Sequence, residues 1–173
     1  MFLVLFGIQG SGKGTQAQLL SQKLGVPHLS TGEILRSIAE EDTDEGRRIK
    51  AIIEQGQYMS DDEMITILKG HLPKAVLLDG YPRTLNQAHL LEPIVHIDKV
   101  LFIDLHEEEA IRRALARGRH DDTPEAIHKR IAQYHAEADK ILDYYKAQGK
   151  LVTINGDNPV ETVFAEICEK LGI

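Results

Sequence analysis

Phe2-Leu-Val-Leu-Phe6 runs directly into Gly7-Ile-Gln-Gly-Ser-Gly-Lys-Gly-Thr15, and the reading of this stretch decides the fold. The apolar, β-prone run has the pattern of a strand buried on both faces, and a helical pattern follows the loop. Glycines at 7, 10 and 12 let the backbone curl so that successive N–H groups face one concavity. The N-terminus of the next helix adds partial positive charge there. Such a concavity suits phosphate, with Lys13 reaching the β- and γ-phosphates as a mobile point charge. The spacing is Gly-x4-Gly-Lys, but Gly14 comes next and the hydroxyl waits until Thr15, one position beyond the strict pattern. A glycine-rich turn of no function is the alternative, and the strand–loop–helix setting speaks against it.

Working outward, further apolar runs read as strands at Val26–Leu29, Ala75–Leu78, Val100–Leu105 and Leu151–Ile154. Helix signals fill the gaps. Ser60 with Glu63 and Thr84 with Gln87 have capping-box spacing, Pro124 follows Thr123, and Asn158 with Glu161 flanks Pro159 in a similar box. Ile127, Ile131, Tyr134, Ala138, Ile141 and Tyr145 draw one apolar stripe along a long helix that Gly149 ends. Val160, Val163, Phe164, Ile167 and Leu171 do the same for a last helix. Alternating strands and helices predict an α/β fold: a three-layer phosphate-loop architecture with a parallel sheet and right-handed crossovers. From Ser30 to about Asp61 the alternation stops, and helical patterns flank the acidic Glu40–Gly46. That stretch reads either as an ordinary helical excursion or as a moving flap.

Composition narrows the function classes. In 173 residues, 27 Asp+Glu outnumber 20 Lys+Arg, and a net charge of −7 argues against wholesale binding to nucleic acid or anionic membrane. No apolar run approaches the roughly 20 residues of a membrane span, and Met1–Phe6 has no basic n-region or cleavage site. One cysteine, Cys168, allows no internal disulfide or four-cysteine zinc site, so a cytoplasmic setting is expected. The eight histidines show no metal-ligand spacing; His120 reads as a solvated loop residue and His106 as part of a helix start.

Against that acidic background the arginines are concentrated. Arg112, Arg113, Arg117 and Arg119 fall within eight residues, and Arg130 follows. Glu107–Glu109 opening a helix that arginines close accounts for one or two of them through the helix dipole. The continuation to Arg119, beside Asp121 and Asp122, fits planar guanidinium groups placed around a phosphoryl group in transfer. Leu78-Asp79-Gly80-Tyr81-Pro82-Arg83 ends the central apolar run. Ligands of open α/β sheets bind beyond the carboxyl ends of strands, so Asp79 and Arg83 are expected to face the same crevice as the glycine-rich loop. Asp79 would order the hydration of a Mg²⁺ and Arg83 would hold a second phosphate; a plain Asp-Gly turn is the alternative.

Together these motifs resemble the adenylate kinase family in its short-lid form. The resemblance rests on Gly7–Thr15, on Ser30-Thr31-Gly32-Glu33-Ile34-Leu35-Arg36, on Asp79–Thr84 with Gln87, and on Arg113, Arg117, Arg119-His120-Asp121-Asp122 and Arg130. It implies a five-stranded parallel core (1–29, 60–117 and 127–173), a helical AMP-binding flap over 30–59 and a short lid over 118–126. That lid is too short to carry zinc. The family pattern places Gly10, Ser11, Gly12, Lys13, Gly14, Thr15, Arg117, Gly156 and Asn158 at ATP. It places Thr31, Arg36, Gln57, Tyr58, Met59, Gly80, Tyr81, Pro82, Arg83, Gln87, Arg119 and Arg130 at AMP. Lys13, Arg83, Arg113, Arg119 and Arg130 would be catalytic, and Asp121 and Asp122 would tie the lid to its arginines. Mg²⁺ would arrive with ATP, held mainly by phosphates and water near Thr15 and Asp79. The partners implied are ATP, AMP and ADP, with no nucleic acid and no membrane, and the chain would act as a monomer.

Related UMP/CMP kinases usually have alanine at the position of Thr31 and asparagine at that of Gln87, so the resemblance is to the AMP-using branch. Gln87 offers an adenine edge both an amide donor and a carbonyl acceptor. Three positions depart from the pattern. Gln9 replaces the usual proline, which predicts a less rigid loop; Tyr81 replaces phenylalanine; Asn158 stands where some members have lysine. The alternatives are a kinase for another monophosphate (CMP, UMP or dAMP), a module that binds ATP and AMP without turnover, and an ATPase coupled to motion.

Overall fold

All five residues of the first strand are buried because helices cover both faces of the sheet it centres. The computed structural model describes residues 1–173. Five parallel strands, β1 (Phe2–Phe6), β2 (His28–Ser30), β3 (Val76–Asp79), β4 (Lys99–Asp104) and β5 (Leu151–Asn155), stand in the order β2-β3-β1-β4-β5. The helices are α1 (Lys13–Leu24), α2 (Thr31–Ala39), α3 (Asp44–Glu54), α4 (Asp61–Lys69), α5 (Leu85–Leu91), α6 (Glu107–Arg117), α7 (Pro124–Ala147) and α8 (Val160–Leu171).

The period-2 pleat splits the core in two. Phe2, Val4, Phe6, Val76, Leu78 and Val100 pack with Leu91 of α5 and Ala138, Ile141 and Tyr145 of α7. Leu3, Leu5, Leu77, Leu101, Ile103 and Ile154 face the other way, against Ala17 and Leu20 of α1 and Val163 and Ile167 of α8. Each fully buried leucine or isoleucine contributes about 2 kcal/mol.

Two sequence expectations shift. The second strand begins at His28 rather than Val26, because Pro27 has no N–H to donate to a ladder. The box expected from Asn158 and Glu161 is not made: Pro159 occupies the cap of α8 and no side chain caps it. Ser60 and Thr84 do cap their helices, their hydroxyls accepting from the N–H of Glu63 and Gln87. The reciprocal half of each box is not made: Glu63 takes the Ser60 hydroxyl and Gln87 the Arg83 N–H. Thr123 caps α7 through the N–H of Ala126.

Helices α2 and α3 stand beside the sheet. Their buried Leu35, Ile49 and Ile53 join the α7-side core, so the excursion packs continuously with the body. Its exit is fastened to α7. Gln133 Nε2 donates to the Gly56 carbonyl at 2.7 Å, and the Tyr58 N–H donates to Gln133 Oε1 at 3.2 Å. The connection between α6 and α7 is shorter than 118–126, since Pro124 already begins the helix. No helix is long and apolar enough to cross a membrane.

Candidate active site

The carboxyl end of β1 lies between β3 and β4, where the chain leaves the sheet in both directions, and a cleft of about 920 Å³ opens there. Gly10–Thr15 curl from the end of β1 into α1 along its floor. Lys13 is folded back onto this loop, its Nζ donating to the Gly7 and Ile8 carbonyls at 2.8 Å each and lying 3.4 Å from Ser11 Oγ. Burial lowers its pKa to about 8, helped by Arg83, Arg117 and Arg119 and opposed by Asp79.

β3 delivers Asp79 to the same place. Burial opposes its ionisation, but His28, 3.5 Å away on β2, with Lys13 and Arg83, holds the carboxyl below the usual range. Its Oδ2 faces Gly14, next to the exposed Thr15. Thr31, fully buried, donates to the carbonyls of Asp79 (3.2 Å) and Gly80 (2.9 Å) and so braces the turn after β3. Arg83 Nε donates to the Gly80 carbonyl at 2.8 Å, and the guanidinium stands 5.0 Å from the ring centroid of Tyr58.

Gln57, Met59, Tyr81 and Pro82 line this side of the cleft. The Gln87 amide is engaged at both ends: Oε1 accepts from the Arg83 N–H at 2.7 Å and Nε2 donates to Asp61 Oδ1 at 2.8 Å. Asp61, which no local spacing singles out in the sequence, also accepts from Thr84 and Asn86.

The far wall carries the arginines. Asp122, its side chain wholly buried, accepts from Arg117 Nε and Nη2 at 2.9 Å each; Asp121 accepts from Arg130 Nη2 at 2.7 Å. Arg130 Nη2 also donates to the Ile53 carbonyl at 2.7 Å, joining the α6–α7 connection, α7 and α3. Arg113 turns toward Glu109 (2.6 Å) and the Gly156 carbonyl (3.3 Å), beside Asn158. Hydrogen bonds from Arg112 and Arg113 hold Glu109 down at about 2.

Of the chain's nine arginines, Arg47, Arg48, Arg112, Arg113, Arg117 and Arg130 each sit on a carboxylate. Arg36, Arg83 and Arg119 have none, and all three line the cleft. Burial, and next the charge of Arg119, push the Arg36 guanidinium below its ordinary value. An acidic protein has thus left its unpaired guanidinium groups facing one cavity, an arrangement that suits a polyanion with several phosphates.

Gln9, where the sequence departs from the family pattern, donates from its Nε2 to Asp122 Oδ1 at 2.8 Å. Gln133 and His28 were also missed, because their partners come from distant segments and leave no local spacing. Among the expected site residues, Thr31 and Asp122 stand behind the cleft wall and orient what lines it.

A sequence profile of the family described as adenylate kinase matches residues 5–150. The chain is similar to an adenylate kinase of Phocaeicola vulgatus, with 37% identity over 95% of each chain. One from Bacteroides fragilis is 38% identical over 96% of each. One from Caldicellulosiruptor bescii is 34% identical over the full length of both.

Proposed function

The chain belongs to the adenylate kinase family, phosphotransferases that pass the γ-phosphoryl group of MgATP to AMP and yield two ADP, and from that premise we propose how its own residues divide the work. Gly10–Thr15 and Lys13 hold the donor phosphates, with Arg117 beside them and Gly156 and Asn158 at the base. Thr31, Arg36, Gln57–Met59, Gly80–Arg83 and Gln87 form the AMP side. The observation that carries this division is the convergence of Lys13, Arg36, Arg83 and Arg119, all without a carboxylate partner, on one cleft.

An α-phosphate oxygen of AMP attacks the γ-phosphorus; the new P–O bond forms as the bond to the β–γ bridging oxygen breaks and ADP departs with that electron pair. No covalent intermediate and no general base is required, so catalysis is in-line positioning with charge stabilisation. Arg113, Arg119 and Arg130 surround the group in flight. Asp121 and the Ile53 carbonyl hold Arg130 to one pose before substrate arrives. Mg²⁺ arriving with ATP would supply neutralisation of phosphate charge. The ionised Asp79 carboxylate facing Gly14 and the exposed Thr15 hydroxyl suit its water shell. The flap (30–59) and the lid from residue 118 close over both nucleotides and exclude water as a competing acceptor. The enzyme acts as a monomer in the cytoplasm.

Lys13→Met and Arg113→Ala are each expected to lower kcat by about two orders of magnitude or more while circular dichroism stays native. Near-normal turnover in both would contradict the assigned roles.

A further inference from the structure

We propose that Gln9 is a positioning residue for the donor nucleotide: its amide fastens the phosphate loop to the buried Asp122 and thereby holds Arg117 against the donor phosphates. The inference rests on the reading of that loop as the donor site.

Gln9 Nε2 donates to Asp122 Oδ1 at 2.8 Å across a separation of 113 residues, and this is the one hydrogen bond joining residues 7–15 to residues 118–123. The same oxygen accepts from Arg117 Nη2 at 2.9 Å, while Oδ2 accepts from Arg117 Nε. Arg130 Nη1 stands 3.6 Å from Oδ1. The Asp122 side chain is 0% exposed, so each of its donors matters to a charge removed from water. An amide nitrogen satisfies that carboxylate, whereas the amide oxygen would repel it, which fixes the orientation of Gln9. That orientation leaves Gln9 Oε1 buried without a donor, so a single bond to Asp122 holds the side chain.

Two consequences reach the donor site. Gln9 follows Ile8, whose carbonyl accepts from Lys13 Nζ at 2.8 Å, so tension on Gln9 acts on the wall that seats Lys13. Asp122 aims the Arg117 guanidinium, which lines the same cleft, so the loop and this arginine move as one unit. Toward the flap, Asp122 has only the longer 3.6 Å approach of Arg130, which is held separately by Asp121 and the Ile53 carbonyl, so the effect falls chiefly on ATP.

The test is calorimetric binding of MgATP, with KM for each nucleotide, in Gln9→Met and Gln9→Glu. Gln9→Met keeps the length and removes the donor. It is expected to weaken MgATP about tenfold, as for loss of a bond to a buried charge, with KM for AMP changed by less than about twofold. Gln9→Glu sets a second carboxylate against Asp122, among Arg117, Arg130 and Asp121. Its MgATP affinity relative to wild type should rise as pH falls and the protonated glutamic acid regains a donor. In an Asp122→Asn background, Gln9→Met should have no further effect; should that background fail to fold, the Gln9→Glu profile decides alone.

Unchanged MgATP binding in Gln9→Met, equal weakening of both nucleotides, or a flat relative profile for Gln9→Glu would overturn the proposal. A wild-type protein that binds MgATP but transfers nothing would defeat the functional reading instead, and binding would still report on Gln9.

Discussion

Lys13 is where a single side chain carries the most functional weight and the most electrostatic cost. Its free-state pKa of about 8 lies below the ordinary 10.5 because burial and three arginines disfavour the ammonium. Donor phosphates favour the ammonium, so binding raises that pKa. Below pH 8 the group is already charged and adds no pH dependence. Above it, MgATP binding must take up a proton, and affinity falls as pH rises. Calorimetry at about pH 9, in buffers of different ionisation enthalpy, should show uptake approaching one proton in the wild type and none in Lys13→Arg. Affinity flat across about pH 7–10 in the wild type would contradict this. At the same scale the sequence was unevenly legible. Arginines crowded into a few residues of an acidic chain announce themselves. Asp61, His28 and Gln133 do not, since each acquires its partner only when α4 meets α5, β2 meets β3 or α7 meets the segment after α3.

Among the elements, capped helices were the easiest to read, because a cap is a local bond whose donor and acceptor sit three residues apart. Ser60, Thr84 and Thr123 form theirs as spaced, whereas Pro159 pre-empts Asn158 and shifts the start of α8. The join between α3, the following turn and α7 was not legible, since it depends on a close approach that no periodicity encodes. Gly56 makes that approach possible: at φ +66°, a Cβ there would fall 2.6 Å from the Ala126 carbonyl oxygen and 2.7 Å from its Cα. Gly56→Ala should therefore cost about 2–3 kcal/mol, adding backbone strain to overpacking. Gly149→Ala, at a similar φ of +68° but with open space, should cost only about 1 kcal/mol. Thermal unfolding distinguishes the two. Equal losses would mean that the flap exit is not packed tightly on α7. KM for AMP should also rise more than KM for ATP in Gly56→Ala, because the displaced segment carries Gln57–Met59.

For the molecule as a whole, alternating strands and helices disclosed the layered α/β plan, and the buried character of the strands disclosed parallel pairing. The order β2-β3-β1-β4-β5 is a different kind of fact, decided by which crossovers cover which apolar face. That order sets the glycine-rich loop, Asp79 and the arginine wall around one opening, although they lie far apart in sequence. The packing of α2 and α3 into the α7-side core, and the clasp of Arg130 on Asp121 and Ile53, show how two excursions from the sheet share one anchor. The most direct measurement on the intact protein is ADP formation from MgATP with AMP, dAMP, CMP, UMP and GMP offered singly, beside a control without acceptor. Turnover with AMP well above every other acceptor, and a control near background, is the predicted result. Preference for a pyrimidine monophosphate would contradict the roles given to Thr31 and Gln87. Saturable MgATP binding without transfer to any acceptor would contradict the reading of the cleft as a phosphoryl-transfer site.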